Sequence, residues 1–99
     1  MQQPTPPRLL RVAPHVVSRV VQGRALVLDH ERDEIQQLNA VGSHVWALLS
    51  SRPRAAHELA EEVAREFEVE LADAARDIDC FVRDLLARGL VVADPSPAP

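Results

Sequence analysis

Lysine and tyrosine are absent from the chain, and cysteine, glycine and aromatic residues are scarce. Each absence closes off a class of function. Without lysine, the 11 basic residues are all Arg, and 15 acids outnumber them, for a net charge of −4. Nucleic-acid binding draws most of its affinity from basic side chains on phosphates. Here the runs Glu58–Glu70 and Asp73–Asp84 are acidic overall, so no helix carries a basic stripe. A single cysteine, Cys80, excludes an internal disulfide and gives no sign of an oxidising compartment. The three glycines lie far apart, so there is no phosphate-cradling loop. No apolar stretch approaches the ~20 residues that a membrane helix needs. The proline-rich start, Met1–Pro7, lacks the charged and apolar regions of a signal peptide. A cytoplasmic protein with neither nucleic-acid nor membrane partners is expected.

What is present fits one domain of 99 residues with an ordinary hydrophobic fraction of 46%. Residues 1–8 read as a disordered arm and 94–99 as a frayed tail, leaving 9–93 as the folded unit. Its first half is strand-like. His15–Val21 is rich in β-branched residues, Gln22-Gly23 is a turn, Arg24–Asp29 is a second strand and Glu34–Leu38 a third, after the polar loop 30–33. Its second half is helical. Asn39 is a good N-cap for a helix bearing Val41, Val45, Trp46, Leu48 and Leu49, which ends at Ser50–Pro53. A second helix, about Ala55 to Glu66, places Leu59, Val63 and Phe67 on one face and Glu58, Glu61, Glu62 and Arg65 on the wet one. A third, about Ala72 to Arg88, carries the stripe Leu71, Ala75, Ile78, Phe81 or Val82, and Leu85, with Gly89 as its C-cap. Leu90–Val92 adds a short terminal strand. The fold class is therefore α+β, a three-stranded antiparallel sheet followed by three helices, an arrangement that also describes a winged helix-turn-helix.

Leu38-Asn39-Ala40-Val41-Gly42-Ser43-His44-Val45-Trp46-Ala47-Leu48-Leu49 resembles the Leu-Asn-x-x-Gly-x-x-Ile/Val-Trp-x-Leu-Leu signature of the PqqD-like family. His57–Ala60, Phe67–Val69 and Asp77–Leu85 are similar to its later segments, and Val27–Asp29 to its second strand. The resemblance implies a non-catalytic element, without cofactor or metal, that recognises the leader segment of a ribosomally made precursor peptide. Such elements present the peptide to a modifying enzyme, a radical SAM enzyme in coenzyme PQQ synthesis, with relatives serving lasso and other peptide products. It further implies that the leader joins the sheet beside the third strand and docks side chains between that strand and the third helix. Where the family often carries an aromatic residue in that strand, this chain has Gln36.

The residues make that mechanism reasonable. The last strand of a meander leaves an open edge, which can accept an incoming strand. The expected peptide site is Asp33, Glu34, Ile35, Gln36, Gln37 and Leu38 on the strand, with Ile35 and Gln37 as lining. On the helix, Ile78, Val82 and Leu85 are the apolar anchors' pockets, and Asp79 and Arg83 the rim or a plain surface ion pair. On this reading Val82→Asp weakens binding more than charge reversal at Arg83.

Other residues have plainer readings. Trp46 is a core residue. His15, His30, His44 and His57 are scattered and lack metal-ligand spacing. Cys80 reads as a small buried hydrophobe, and Asp77 and Asp84 as a solvated face. Two rival functions remain: a DNA-binding winged helix, and a dimerisation or adaptor module whose edge strand pairs with a second copy. The oligomeric expectation is monomer or weak homodimer.

Overall fold

The computed structural model describes residues 8–29 and 31–94. The elements run β1 (Leu9–Val12), β2 (Val17–Val21), β3 (Arg24–Asp29), β4 (Glu34–Gln37), α1 (Ala40–Ser51), β5 (Arg54–Ala55), α2 (Ala56–Phe67), α3 (Leu71–Ala87) and β6 (Val91–Ala93). The chain is α+β, with three helices and the expected antiparallel meander β2-β3-β4. A second sheet, β5-β1-β6, goes beyond the sequence expectation. Its central strand pairs Leu9 with Ala55 and Leu10 with Ala93, partners far away in sequence. Four-residue and two-residue strands are too short to show a period of two, which is why neither announces itself. Asp94 belongs to this sheet rather than to a frayed tail. Its N–H donates to Leu9 O at 2.7 Å, and its carboxylate accepts from Arg11 Nε at 2.7 Å. The rest of the expected arm and tail, 1–7 and 95–99, and His30 lie outside the described residues.

The meander follows from local chemistry. Gln22 and Gly23 both take positive φ, 53° and 77°, the two-residue turn whose twist matches that of the flanking strands. The first strand begins at Val17, later than His15, because Val16 N–H closes a turn on Ala13 O at 3.1 Å. Ala25, Val27 and Asp29 on β3 are buried and alternate with half-exposed Leu26 and Leu28, the signature of a sheet with one covered face. The helices supply that cover. Asn39 caps α1, its Oδ1 accepting Gly42 N–H at 2.7 Å. Glu58 accepts Ala55 N–H at 3.1 Å at the start of α2, and this bond is the chief reason its carboxyl is held below the usual range. At the end of α3, Gly89 N–H bonds Leu86 O and Leu90 N–H bonds Leu85 O. That pair of bonds is the Schellman motif, with Gly89 at φ 72°, and it turns Leu90 and Val91 back into the core.

The core gathers Val27, Val45, Leu59, Ile78, Leu85, Leu90 and Val91, all fully buried. Trp46 joins it at 2% exposure, as expected. On α3 the buried stripe is Ala74, Ile78, Val82 and Leu85, one step round from the expected start, and Leu71 and Ala75 face solvent. Cys80 is exposed, contrary to its reading as a buried hydrophobe, because it lies on the far side of α3 from Ile78 and Leu85.

The β3–β4 connection is tied down by one buried acid. Asp29, 6% exposed, accepts the backbone N–H groups of Glu31 and Arg32 through Oδ1 and the Arg32 guanidinium through Oδ2. Arg32 then reaches the C-terminus of α3, donating to Arg88 O at 2.7 Å and Ala87 O at 3.3 Å. A guanidinium is well placed at the negative end of a helix dipole. Asp29→Ala is expected to cost about 1–3 kcal/mol, the range for stranding buried hydrogen-bond partners. Asp29→Asn, which keeps the Oδ1 acceptor, should cost less. Urea unfolding of both variants checks the order, and equal stabilities would remove Asp29 as the anchor.

Candidate functional site

The orientation of β4 follows from one bond. Leu38 N–H donates to Ala25 O at 2.9 Å. In an antiparallel ladder bonding alternates residue by residue, so Glu34 and Gln36 also turn their backbones to β3. Ile35 and Gln37 turn theirs outward, to an edge that pairs with no strand among the described residues. Side chains alternate too. Leu38 and Gln36 face the helices, and Ile35, 69% exposed, faces the opposite side of the sheet, where it lines a shallow dent with Val17, Leu26 and Leu28. The ladder ends in a polar clasp: Ser43 Oγ accepts Ala25 N–H at 2.8 Å and donates to Leu38 O at 3.2 Å. The first turn of α1 is thereby fixed to the hairpin.

Alongside that open edge runs α3. Arg88 meets Glu34 at 3.7 Å and Asp84 at 3.2 Å, bridging one end of the trough. Seven residues earlier, Phe81 lies against Gly42 so closely that a Cβ added there would sit 3.2 Å from the ring. Seven helical residues span about 10 Å, and the three steps from Glu34 to Gln37 also span about 10 Å, so a helix tied to the strand at Arg88 and Glu34 and to α1 at Phe81 is long enough to bound a trough beside β4. Beyond the end of β4 the trough deepens into a cleft of about 180 Å³, lined by Asn39, Val41, Gly42, Asp77, Ile78 and Phe81. Gln36 Oε1 is buried without a hydrogen-bond partner.

The wall of this trough differs from the one expected. The strand residues Asp33–Leu38 are brought together as an edge, but Ile35 and Gln37 contribute backbone rather than lining side chains. Leu85 is 0% exposed and belongs to the core, and Ile78, at 2%, reaches the trough only as part of the cleft. Val82 is 7% exposed and turns to the other side of α3, where it lines a separate cleft with Arg8, Leu10, His57 and Leu86. Asp79 and Arg83 form an ion pair of 3.2 Å with both side chains largely in solvent, on the face of α3 away from β4. Arg88 meets β4 through Glu34, and Asp77, Phe81 and Asp84 share its face of α3. They recur at helical spacing, and that polar stripe was the available signal. The apolar stripe beside it draws the eye first, but it is consumed by packing.

Glu62, whose carboxyl is lowered chiefly by the Arg65 hydrogen bond, lies with Glu58 on α2, away from the edge. Among the described residues no three His, Cys, Asp or Glu side chains gather as metal ligands, and no helix is long and apolar enough to cross a membrane.

Comparison with known proteins bears on the fold and the family. No protein of curated function matches the sequence. Among solved structures, the chain is similar to TbiB1 in complex with the TbiA(beta) leader peptide, with a TM-score of 0.75 and 26% identity, over 82% of this chain and 93% of that one. It is similar to lasso peptide synthetase B1 complexed with its leader peptide, with a TM-score of 0.72 and 26% identity, over 84% and 96%. It shares the fold of the PqqD truncation of Methylobacterium extorquens PqqCD, a stand-alone recognition element for ribosomally synthesized and post-translationally modified peptides. There the TM-score is 0.69 at 15% identity, over 85% and 88%. The sequence profile described as coenzyme PQQ synthesis protein D (PqqD) matches residues 24–91, well over half of the sequence, and the chain belongs to that family.

Proposed function

We propose that this chain is a non-catalytic peptide-recognition element that captures the leader segment of a ribosomally made precursor by strand addition to β4 and presents it to a modifying enzyme in the cytoplasm. The observation that carries the reading is the open edge of β4 at Ile35 and Gln37, with α3 tied to the start of that strand by Arg88 and Glu34. On the other open edge, β2, the residues are all exposed. The similar structures TbiB1 and lasso peptide synthetase B1 were both solved with leader peptides. The likeness to lasso peptide synthetase B1 favours a lasso-type partner enzyme over a radical SAM enzyme.

Magnitudes decide what the peptide must bring. The outward N–H and C=O of two residues allow four backbone hydrogen bonds, each worth about 0.5–1.5 kcal/mol. Ordering a flexible peptide costs about 2–5 kcal/mol, and association several more. Side-chain anchors in the trough are therefore required, and they give the specificity. The chain works as a monomer or a weak homodimer, with the exposed β2 edge as the surface for any self-pairing.

The test is calorimetric titration of the full chain with the leader and core halves of the precursor peptides encoded beside its gene. One leader should bind one-to-one while its core half does not, and the neighbouring enzyme should modify that precursor only when this chain is present. Leaders that fail to bind at saturating concentration, with modification proceeding regardless, would overturn the reading.

A further inference from the structure

Three of the four acids on α3 are answered by an Arg one turn later: Asp73 by Arg76 at 3.4 Å, Asp79 by Arg83 at 3.2 Å and Asp84 by Arg88 at 3.2 Å. Asp77 is the exception. The positions three and four residues on are Cys80 and Phe81, and Asp77 makes no ion pair among the described residues. It stands at the cleft that ends the trough, with Phe81 and Val41 as walls and Ile78 behind. At about 180 Å³ this cleft is smaller than the roughly 300–1,000 Å³ of small-molecule pockets, and it suits a single side chain.

We propose that the cleft is a subsite for one lysine or arginine of the bound peptide, its aliphatic stem on Val41 and Phe81 and its charged head on Asp77. This rests on the strand-addition reading and adds the chemistry of the residue that follows the added strand. Two features of the cleft independently ask for a cation. A carboxylate without a partner attracts one, and an aromatic ring attracts one over its face. The carboxylates of Glu34 and Asp84 stand beside the single Arg88 at the other end of that face of α3. The N-terminus of α1 opposes a cation with roughly half a positive charge, but that is less than the full charge of Asp77, and Asn39 Oδ1 already covers its Gly42 N–H. An apolar side chain would fill the walls and leave Asp77 unanswered. An acidic one would meet Asp77 directly.

The experiment is a double-mutant cycle. A leader that binds in the titration above is resynthesised with each Lys or Arg replaced in turn by norleucine, which keeps the stem and removes the charge, and by Glu. Each peptide is titrated against the native chain and against Asp77→Asn, an exposed substitution that leaves the core untouched. One position should lose about three- to tenfold in affinity as norleucine and more as Glu, the scale of a partly exposed ion pair with a cation–π contact. The same norleucine change should cost distinctly less against Asp77→Asn, because the charge pair is already gone and only the contact with the Phe81 ring is left to lose. Equal losses against both chains, or a leader that binds tightly with no basic residue, would overturn the subsite while leaving strand addition standing. Failure of every leader to bind would overturn both.

Discussion

A proline at Gln37 or Ile35 is expected to abolish peptide capture while the domain stays folded. Proline removes an N–H and adds a ring in its place. At these two positions the N–H points outward, so β4 keeps its bonds to β3, and edge strands accept proline on the solvent side. An incoming strand, however, meets a missing donor and a steric block. Affinity should fall at least about tenfold, or roughly 1.4 kcal/mol, with unfolding midpoints near those of the native chain. Gln36→Pro is the counterpart. Its N–H lies on the β3 side by the alternation that Leu38 N–H to Ala25 O sets, so it should destabilise the hairpin itself. Val20→Pro on the outward side of β2, paired with β3 through Val17, Arg19 and Val21, should leave peptide affinity unchanged. If Val20→Pro removes binding and Gln37→Pro does not, the peptide uses the wrong edge for this reading.

The second large effect separates core from trough on the same helix. Leu85→Ala removes a fully buried side chain from the centre of the core, and such truncations cost about 2–5 kcal/mol. Native domains have only about 5–15 kcal/mol in total, so the variant should unfold at distinctly lower denaturant. Phe81, half-buried against Gly42 and lining the cleft, should behave differently. Phe81→Ala should keep more of its stability than Leu85→Ala and lose more peptide affinity under conditions where both are folded. Val82→Asp belongs with Leu85, since Val82 is buried away from β4. Its effect should appear as unfolding, and the expected contrast with Arg83 becomes one of stability. Denaturant curves and titrations on the same samples check both halves. A Leu85→Ala chain with native stability would contradict the core assignment.

The legible part of the fold was the part written in local chemistry. Gln22-Gly23, the Asn39 cap and the Gly89 terminus each act within a few residues, and each stands where its residue type requires. The strand β1 was illegible because Leu9–Val12 acquires its meaning from Ala55 and Ala93, which no local window contains. Ser43 was illegible for another reason. A serine on a helix signals nothing until folding sets its hydroxyl between Ala25 N–H and Leu38 O. For the site, the edge of β4 could be read from its place at the end of a meander. The opposing wall could not, because both stripes of α3 repeat at helical spacing. Which stripe α2 and the sheets bury decides whether Ile78 and Leu85 or Phe81 and Asp77 remain to meet a ligand.

The most direct test of strand addition is amide hydrogen exchange on the free and leader-bound chain, read residue by residue by NMR. In the free chain Gln36 and Leu38 should exchange slowly, their N–H groups bonded to β3, while Ile35 and Gln37 exchange fast. With saturating leader peptide, Ile35 and Gln37 should become slow as well, and Ser18 and Val20 on the open edge of β2 should not change. Protection that appears on β2, or tight binding that leaves Ile35 and Gln37 fast, would contradict capture at β4.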